Sequence, residues 1–380
     1  MREIKLFIIV NVDWFFLSHR LPIAKAAQDA GYDVTIVTAN TGKLGEIERQ
    51  GLKVIDAPFS RSGTSLISEL GTFRFLYKLF KRGKPDLVHL VTIKPNIYGS
   101  LAATFFKRIK VINAISGMGY NFSEGRKGVL QRFIRMLMKI AYKREQVNFI
   151  FQNKADQADF INMGLTDLKH CIRIKGSGVD LDEFKFYAAE ETDVDDKVTF
   201  VFPARMLYDK GVATLVDAAR VLKDRLKGKA KILLAGALDP GNKTGVPENE
   251  LLAMQEPGYI EWIGFQKGMR TVLKNCQVVV LPTYYREGVP KALIEACAIG
   301  RPIITTDMPG CKECVSDGFN GYLVKQKNVD DLAEKMLWLF NDAAMRKQMG
   351  VNSRKIAEEN FSIRSVVDST LNLYADVLNS

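Results

Sequence analysis

The sequence predicts an α/β protein made of two doubly wound domains, each with a parallel sheet. Three observations carry that expectation. Short apolar runs alternate with stretches of helical period along the chain, the alternation breaks at a polar acidic segment and restarts, and 380 residues is an ordinary length for two domains. In the first half, Leu6 to Val10, Asp33 to Thr38, Leu87 to Val91, Lys110 to Ile115 and Asn148 to Gln152 read as buried strands, followed by helix-period material such as His19 to Ala30. The segment Tyr187 to Lys197, YAAEETDVDDK, is polar and acidic with few bulky apolar residues and reads as a linker.

The rhythm resumes with Val198 to Pro203, Lys231 to Ala235, Ile260 to Ile263, Val278 to Pro282, Pro302 to Thr305 and Gly321 to Val324, separated by helices such as Ala213 to Lys227 and Pro290 to Ile299. Pro at a first helical position needs no amide partner, so a helix is expected to open near Pro290. Asp330 to Phe340 and Asn352 to Ser380 read as mainly helical. In doubly wound sheets ligands bind beyond the carboxyl ends of the strands, which directs attention to the loops there.

Charge narrows the partners. Fifty-four basic and 43 acidic residues give a net charge of +11. Residues 51–150 hold 18 basic against 5 acidic residues, so the excess sits in the first half. A basic face suits nucleic acid, a phospholipid surface or a phosphorylated substrate. Against nucleic acid, the basic half has no RNP-like aromatic motif and no zinc-finger spacing. The apolar run at Leu6 to Val10 is too short for a signal peptide and no stretch of 18 apolar residues occurs, so a cytoplasmic protein, at most resting on a membrane, is expected. Five cysteines do not make a disulfide framework, and Cys311-Lys-Glu-Cys314 lacks the second Cys/His pair of a zinc site.

Two loops of the second half carry the chemistry. TYYREGVP, after Val278 to Pro282, brings Glu287 and Gly288 to the sheet edge just ahead of a helix, where free amides and the helix dipole favour a phosphate. Glu295, in the second helical turn, offers two acceptor oxygens suited to vicinal ribose hydroxyls. ARMLYDKG, after Val198 to Pro203, supplies Arg205 and Lys210, which together can neutralise a diphosphate. Taken singly, each of these is as readily a solvated surface charge; the two clusters together indicate a nucleotide diphosphate.

These residues resemble the retaining glycosyltransferases of GT-B type, glycosyltransferase family 4. The likeness rests on Arg205 and Lys210 with the following Gly211, on the E-x7-E pair Glu287 and Glu295, on GSGVD at Gly176 to Asp180, and on PGCKECVSDGFNGYLV at Pro309 to Val324. DWFFLSHRLPIA, HLVTIKPNIYG and SGMGYNF resemble the subset that transfers N-acetylhexosamine-type sugars to undecaprenyl-diphosphate-linked saccharides. The resemblance implies a GT-B fold, with two Rossmann-like domains facing across a cleft: an acceptor domain over 1–186, a donor domain over 187–362, and a C-terminal helix over 363–380 packing on the first. It implies that Arg205 and Lys210 hold the donor diphosphate, Glu287 the sugar hydroxyls and Glu295 the ribose. Gly288, Val289 and Pro290 would lie against the donor, and Glu261 to Phe265, with Gly264 and Phe265, beside the base.

The implied reaction is metal-independent transfer from a UDP-sugar with retention. The leaving diphosphate helps deprotonate the attacking hydroxyl, so stabilising its charge is the protein's main task, with one good donor worth ~3 kcal/mol. Asp13, His19, His89, Lys94 and Gly117 are the acceptor-side candidates, His89 and Lys94 because relatives place a histidine in the loop after the fourth strand, where this chain reads HLVTIKP. In the first loop, NVDWFF lacks the glycines many relatives carry, and at least two of Trp14, Phe15 and Phe16 are expected in the core. Gly117-x-Gly119 is a weak dinucleotide signal, since Phe122 stands where a third glycine would be. Asp180-Leu-Asp182 and Asp193-Val-Asp195 spell DxD but fall near the linker, where a metal role is not expected.

Arg126 to Arg144 reads as a basic amphipathic helix, with Leu130, Phe133, Ile134, Leu137, Met138 and Ala141 on one face and Arg132, Arg135, Lys139 and Lys143 on the other; Phe73 to Lys84 repeats the theme. The expected partners are therefore a nucleotide-sugar, a lipid-linked saccharide and an anionic membrane surface on the cytoplasmic side, with a soluble acceptor as the alternative and nucleic acid as a remote one.

Overall fold

A computed structural model describes residues 3–59, 66–117, 129–143, 147–188 and 197–380. The chain forms two compact units, one of residues 1–177 with 363–380 and one of residues 178–362. The division of the compact units at 177/178 lies nine residues before the 186/187 boundary the resemblance implies. Residues beyond Ser177 are fastened to the second unit: the Val179 amide donates to the Phe361 carbonyl (2.8 Å), the Tyr187 amide to the Ile299 carbonyl (3.1 Å), and the Arg354 guanidinium to the Phe184 carbonyl (2.8 Å).

In the first unit, seven parallel strands, β1 (Ile4–Val12), β2 (Tyr32–Ala39), β3 (Lys53–Asp56), β4 (Leu87–Val91), β5 (Lys110–Ile115), β6 (Val147–Phe151) and β7 (Cys171–Arg173), lie in the order β3-β2-β1-β4-β5-β6-β7. The central strands are apolar on both faces, as the burial of Leu6, Ile8 and Val10 on one side and Phe7 and Ile9 on the other requires under helices packed on each face. The C-terminal helix Ile363–Asn379 closes one of those faces: Tyr374 is fully buried beside Tyr32 and His89, and Val366 and Val377 join the same core.

The second unit holds six parallel strands, β8 (Val198–Phe202), β9 (Ala230–Ala235), β10 (Ile260–Gly264), β11 (Val278–Leu281), β12 (Ile303–Thr306) and β13 (Gly321–Val324), in the order β10-β9-β8-β11-β12-β13. Its helix Ala343–Asn360 packs on Lys291–Ile299. Buried Arg301 ties the framework by donating to the carbonyls of Leu273, Lys274 and Tyr187, all at 2.9 Å. In each sheet the strand order reverses beside the first strand, between β1 and β4 and between β8 and β11. Those are the switch points at which the sequence placed its candidate loops.

One sequence expectation changes here: Asp13–His19 is a helix rather than a loop, followed by a second helix, Leu21–Asp29. Of its three aromatic rings Phe16 is fully buried and Phe15 packs half-buried against the same core, as expected, while Trp14 is half-buried, because a helix turns successive side chains about 100° apart. The stripe of the helix Val129–Tyr142 enters the core through Met138 and Ala141, with Ile134 and Leu137 packed against it, while Arg132, Arg135 and Lys139 are exposed. Gly119, Phe122, Leu130, Phe133 and the Asp193–Asp195 DxD fall outside the described residues or side chains.

Candidate functional site

The second unit's switch point gathers the donor-side candidates. The loop after β8 passes Arg205 and Lys210 before Gly211 opens the helix Val212–Val221 in a left-handed conformation, φ 85°. A Cβ at Gly211 would stand 2.1 Å from the Pro282 carbonyl oxygen at the end of β11, so only glycine lets the two loops meet. The Asp209 carbonyl completes the junction, accepting from the Tyr284 amide (2.9 Å), the Tyr285 amide (3.1 Å) and the Thr283 hydroxyl (3.1 Å).

At this junction Lys210 Nζ donates to Glu287 Oε1 at 2.5 Å and lies 5.6 Å from the Tyr285 ring. Arg205 Nη1 is hydrogen-bonded to Asp239 Oδ2. An ammonium has three donors and a guanidinium five, so each cation is held by one carboxylate with donors to spare. Burial pushes the carboxyl of buried Asp209 above the ordinary value; a hydrogen bond from the Thr244 side chain and the charges of Lys210 and Arg205 pull it down, and Glu287 pushes it up. Its Oδ1 is buried with no hydrogen-bond partner.

Pro290 proves to be the N-cap of the helix Lys291–Ile299 and not its first residue, with φ −64° and ψ 121°. Its carbonyl accepts the amides of Leu293 (3.0 Å) and Ile294 (3.2 Å), and the amides ahead of these have no acceptor within the helix. Gly288, Val289 and Pro290 are buried at this tip. A Cβ on Gly310 would lie 1.8 Å from the Gly288 carbonyl oxygen, so the turn after β12 braces the tip. Glu295 sits in the second turn, its side chain 13% exposed and 3.8 Å from Lys291 Nζ. Burial, against the pull of Lys291 and with a push from Glu183, raises its carboxyl to about 7. Gly264 ends β10 at φ 68° with open space around it, and Phe265 is 68% exposed.

The acceptor-side candidates divide. Asp13 is fully buried and its oxygens are spent on the chain: it accepts the amides of Trp14 (2.7 Å), Thr41 (2.7 Å) and Lys43 (2.9 Å) and the Thr41 hydroxyl. Burial alone would raise its carboxyl, but those bonds leave it below the ordinary value. Asp13 thus fastens the 40–43 loop, with its oxygens turned to the chain. His89 is also a core residue: its Nδ1 and the Tyr374 hydroxyl share a 2.6 Å hydrogen bond, and burial, aided by the charge of Arg20, drives it down to about 3, so it is neutral. His19 stacks on Phe15 with ring centroids 4.0 Å apart. Lys94 is paired with Glu69 at 2.6 Å, on the helix that follows β4. Gly117 follows β5 at φ 102°.

Two groups escaped the sequence reading, and Thr92 of the HLVTIKP loop carries a strain it did not mark. Asp209 adjoins Lys210 in ARMLYDKG, and Asp239 lies after β9; a count of nearby carboxylates could have flagged the first, whereas only the fold brings the second to Arg205. Thr92, at the end of β4, has φ 74° and ψ 161°, a region essentially reserved for glycine, and its hydroxyl is buried without a partner. No signal in the sequence marks that strain. Of the motifs weighed for a metal, Asp180 Oδ1 accepts the amides of Asp182 (2.9 Å) and Glu183 (3.0 Å) as a turn cap and Cys311 and Cys314 are buried free thiols; among the described residues no cluster of three or more His, Cys, Asp or Glu that could hold a metal ion occurs.

Comparison with known proteins identifies the family and the fold. The model for glycosyl transferases group 1 matches residues 183–356, and that for glycosyl transferase 4-like proteins matches residues 5–153. The chain is 30% identical, over 96% of its length and 99% of the relative's, to the N,N'-diacetylbacillosaminyl-diphospho-undecaprenol alpha-1,3-N-acetylgalactosaminyltransferase of Campylobacter jejuni. It is 24% identical, over 91% of its length and 90% of the relative's, to the UDP-Gal:alpha-D-GlcNAc-diphosphoundecaprenol alpha-1,3-galactosyltransferase of Escherichia coli. Its fold is that of Anabaena HepE, solved in complex with UDP (TM-score 0.78, 17% identity, 98% and 100% of the two chains), and of WaaG, a glycosyltransferase of lipopolysaccharide biosynthesis (TM-score 0.73, 13% identity, 97% and 99%). The chain belongs to the glycosyl transferases of group 1 and is a nucleotide-sugar-dependent glycosyltransferase of GT-B fold.

Proposed function

We propose that this enzyme moves an N-acetylhexosamine-type sugar from a UDP-sugar, with retention, onto a saccharide carried by undecaprenyl diphosphate, at the cytoplasmic face of the membrane. The observation that carries the donor half is the junction at β8 and β11, where Arg205, Lys210 and the helix tip at Pro290 supply the charge and amides a diphosphate needs. The acceptor half rests on the diphospho-undecaprenol-linked substrates in the names of the Campylobacter and Escherichia relatives.

In this reading the diphosphate settles between Arg205 and Lys210, each cation positioned by its carboxylate, Asp239 or Glu287. As the bond from the anomeric carbon to the diphosphate oxygen breaks, charge builds on the leaving group; the two cations and the helix-tip amides meet it already oriented, so no reorganisation is needed. The acceptor hydroxyl attacks from the same face and gives its proton to the departing phosphate. Glu287 also faces the sugar hydroxyls, Glu295 accepts from the ribose diol, and exposed Phe265 offers a face for the uracil. No step calls for a metal ion.

His19, Lys94, Thr92 and Gly117 belong to the acceptor side in this proposal. The test is to incubate the purified protein with a panel of UDP-sugars and extracted lipid-linked acceptors and read the products by mass spectrometry. A single hexosamine-sized addition to a lipid-linked saccharide is expected. Addition only to soluble acceptors would overturn the acceptor half, and no turnover of any UDP-sugar would overturn the donor half.

A further inference from the structure

The first unit holds a large open cavity, remote from any strand's carboxyl end. Lys5 of β1, Pro85 and Asp86 ahead of β4, and Ile109 ahead of β5 place it at the amino-terminal edge of the sheet. Its volume, about 690 Å³, lies within the range of ligand pockets. Five cations, Lys5, Lys81, Lys84, Lys107 and Arg108, line it, and its floor is apolar, with Phe80 and Ile109 almost fully buried. Asp86 also lines it, its Oδ2 accepting the Lys5 amide at 3.0 Å.

The surroundings point to a particular occupant. Phe105, two residues before Lys107, is 63% exposed although it makes edge contacts with Tyr77 (5.5 Å) and Phe73 (6.2 Å), so an apolar ring stands in solvent beside the cations. Along the helix Leu66–Gly83, exposed Leu70, Arg74, Lys78 and Lys81 recur at spacings of three and four and form one stripe leading to the cavity. A soluble anion would need the cations alone. Exposed rings beside cations, continued by a basic stripe on a helix, are the features of a surface that meets anionic lipid.

We propose that this cavity takes the phosphate headgroup of an anionic phospholipid, with Phe105 entering the acyl boundary beside it. The inference rests on the proposed lipid-linked acceptor and names how the first unit is held at the membrane. The tip of the helix Leu66–Gly83 presents Lys81 and Lys84 to the phosphate, Lys107 and Arg108 close on it from the turn before β5, and Phe80 and Ile109 exclude water from beneath it.

Vesicle flotation of the full chain tests this, with phosphatidylcholine alone and with added phosphatidylglycerol at fixed ionic strength. Flotation that depends on phosphatidylglycerol is expected, about tenfold or more weaker for Lys84→Glu/Arg108→Glu and also weakened by Phe105→Ser. A control with the same charge change in the second unit, Lys227→Glu/Lys229→Glu, should float like the parent. Equal loss in the control, or undiminished flotation of the cavity variants, would overturn the proposal. So would complete displacement from vesicles by inorganic phosphate at equal phosphate concentration, which would mark a small-anion site. Uridine diphosphate binding on the same samples reports the donor reading separately: it should survive in the cavity variants. A protein that floats but does not bind uridine diphosphate would support the cavity while sinking the donor site.

Discussion

Chemistry in this chain comes down to a few charges held by one another. Lys210 and Glu287 form a largely buried pair, so removing either leaves the other without its partner. Lys210→Ala should lower kcat on the order of a hundredfold to a thousandfold, about 3 to 4 kcal/mol of lost charge stabilisation, while the melting temperature moves far less. Steady-state kinetics beside a thermal melt checks this, and equal effects on turnover and folding would contradict it. The double variant with Glu287→Ala should cost less than the two singles summed, since they share one interaction. Glu295 makes a pH prediction. Its carboxyl is raised to about 7, so the folded state favours the protonated form; the stability this gives is present below the ordinary glutamate value and is lost as pH rises to about 7. In the proposed donor site the ribose diol, in contrast, needs the ionised form as acceptor. UDP-sugar affinity should therefore rise with pH and level off above about 7, and Glu295→Gln should be weaker and flat across that range. Calorimetric titration from acid to neutral pH would show it.

Glycines and one strained threonine let the elements meet. Gly310 stands against the Gly288 carbonyl with no room for a methyl group, so Gly310→Ala must displace the helix tip, at a cost of about 1–3 kcal/mol and a loss of nucleotide affinity measurable in the same sample. Thr92 holds a glycine-only backbone at the end of β4. Relieving that strain, worth about 1–3 kcal/mol, outweighs the ~0.5–1 kcal/mol that glycine costs in chain entropy, so Thr92→Gly should raise the melting temperature. If the strain serves the acceptor, turnover falls in the same variant; a variant both more stable and fully active would remove Thr92 from the site. Element order was largely legible because buried parallel strands are continuous apolar runs. The edge strands β3, KVID, and β7, CIR, were not: each is short, carries charge and lies at a sheet margin with little apolar signal. The helix at Asp13–His19 was hidden because its N-cap, Val12, offers no capping side chain, and its first residue, Asp13, is held instead by the distant 40–43 loop, a tertiary cause invisible to local pattern.

At the scale of the molecule, the donor-side candidates come together because they lie in two short loops at one switch point. On the acceptor side burial separates the candidates in a way the sequence does not show: a histidine and an aspartate that look reactive there are core groups, His89 held by Tyr374 from a helix nearly 300 positions away. The C-terminal helix therefore belongs to the first unit's stability, and Tyr374→Phe, which leaves His89 Nδ1 unpaired, should destabilise the fold by about 1–3 kcal/mol with little change in uridine diphosphate affinity. Charge stabilisation by Arg205 and Lys210 predicts that activity survives EDTA; its abolition would call for a divalent ion in the site. The central claim is that Arg205, Lys210 and the Pro290 tip converge on one diphosphate. A crystal structure of the protein soaked with uridine diphosphate tests it most directly: the diphosphate should lie within hydrogen-bond reach of both cations and of the amides ahead of Leu293, and a nucleotide bound elsewhere, or cations left facing their carboxylates with no phosphate between them, would contradict it.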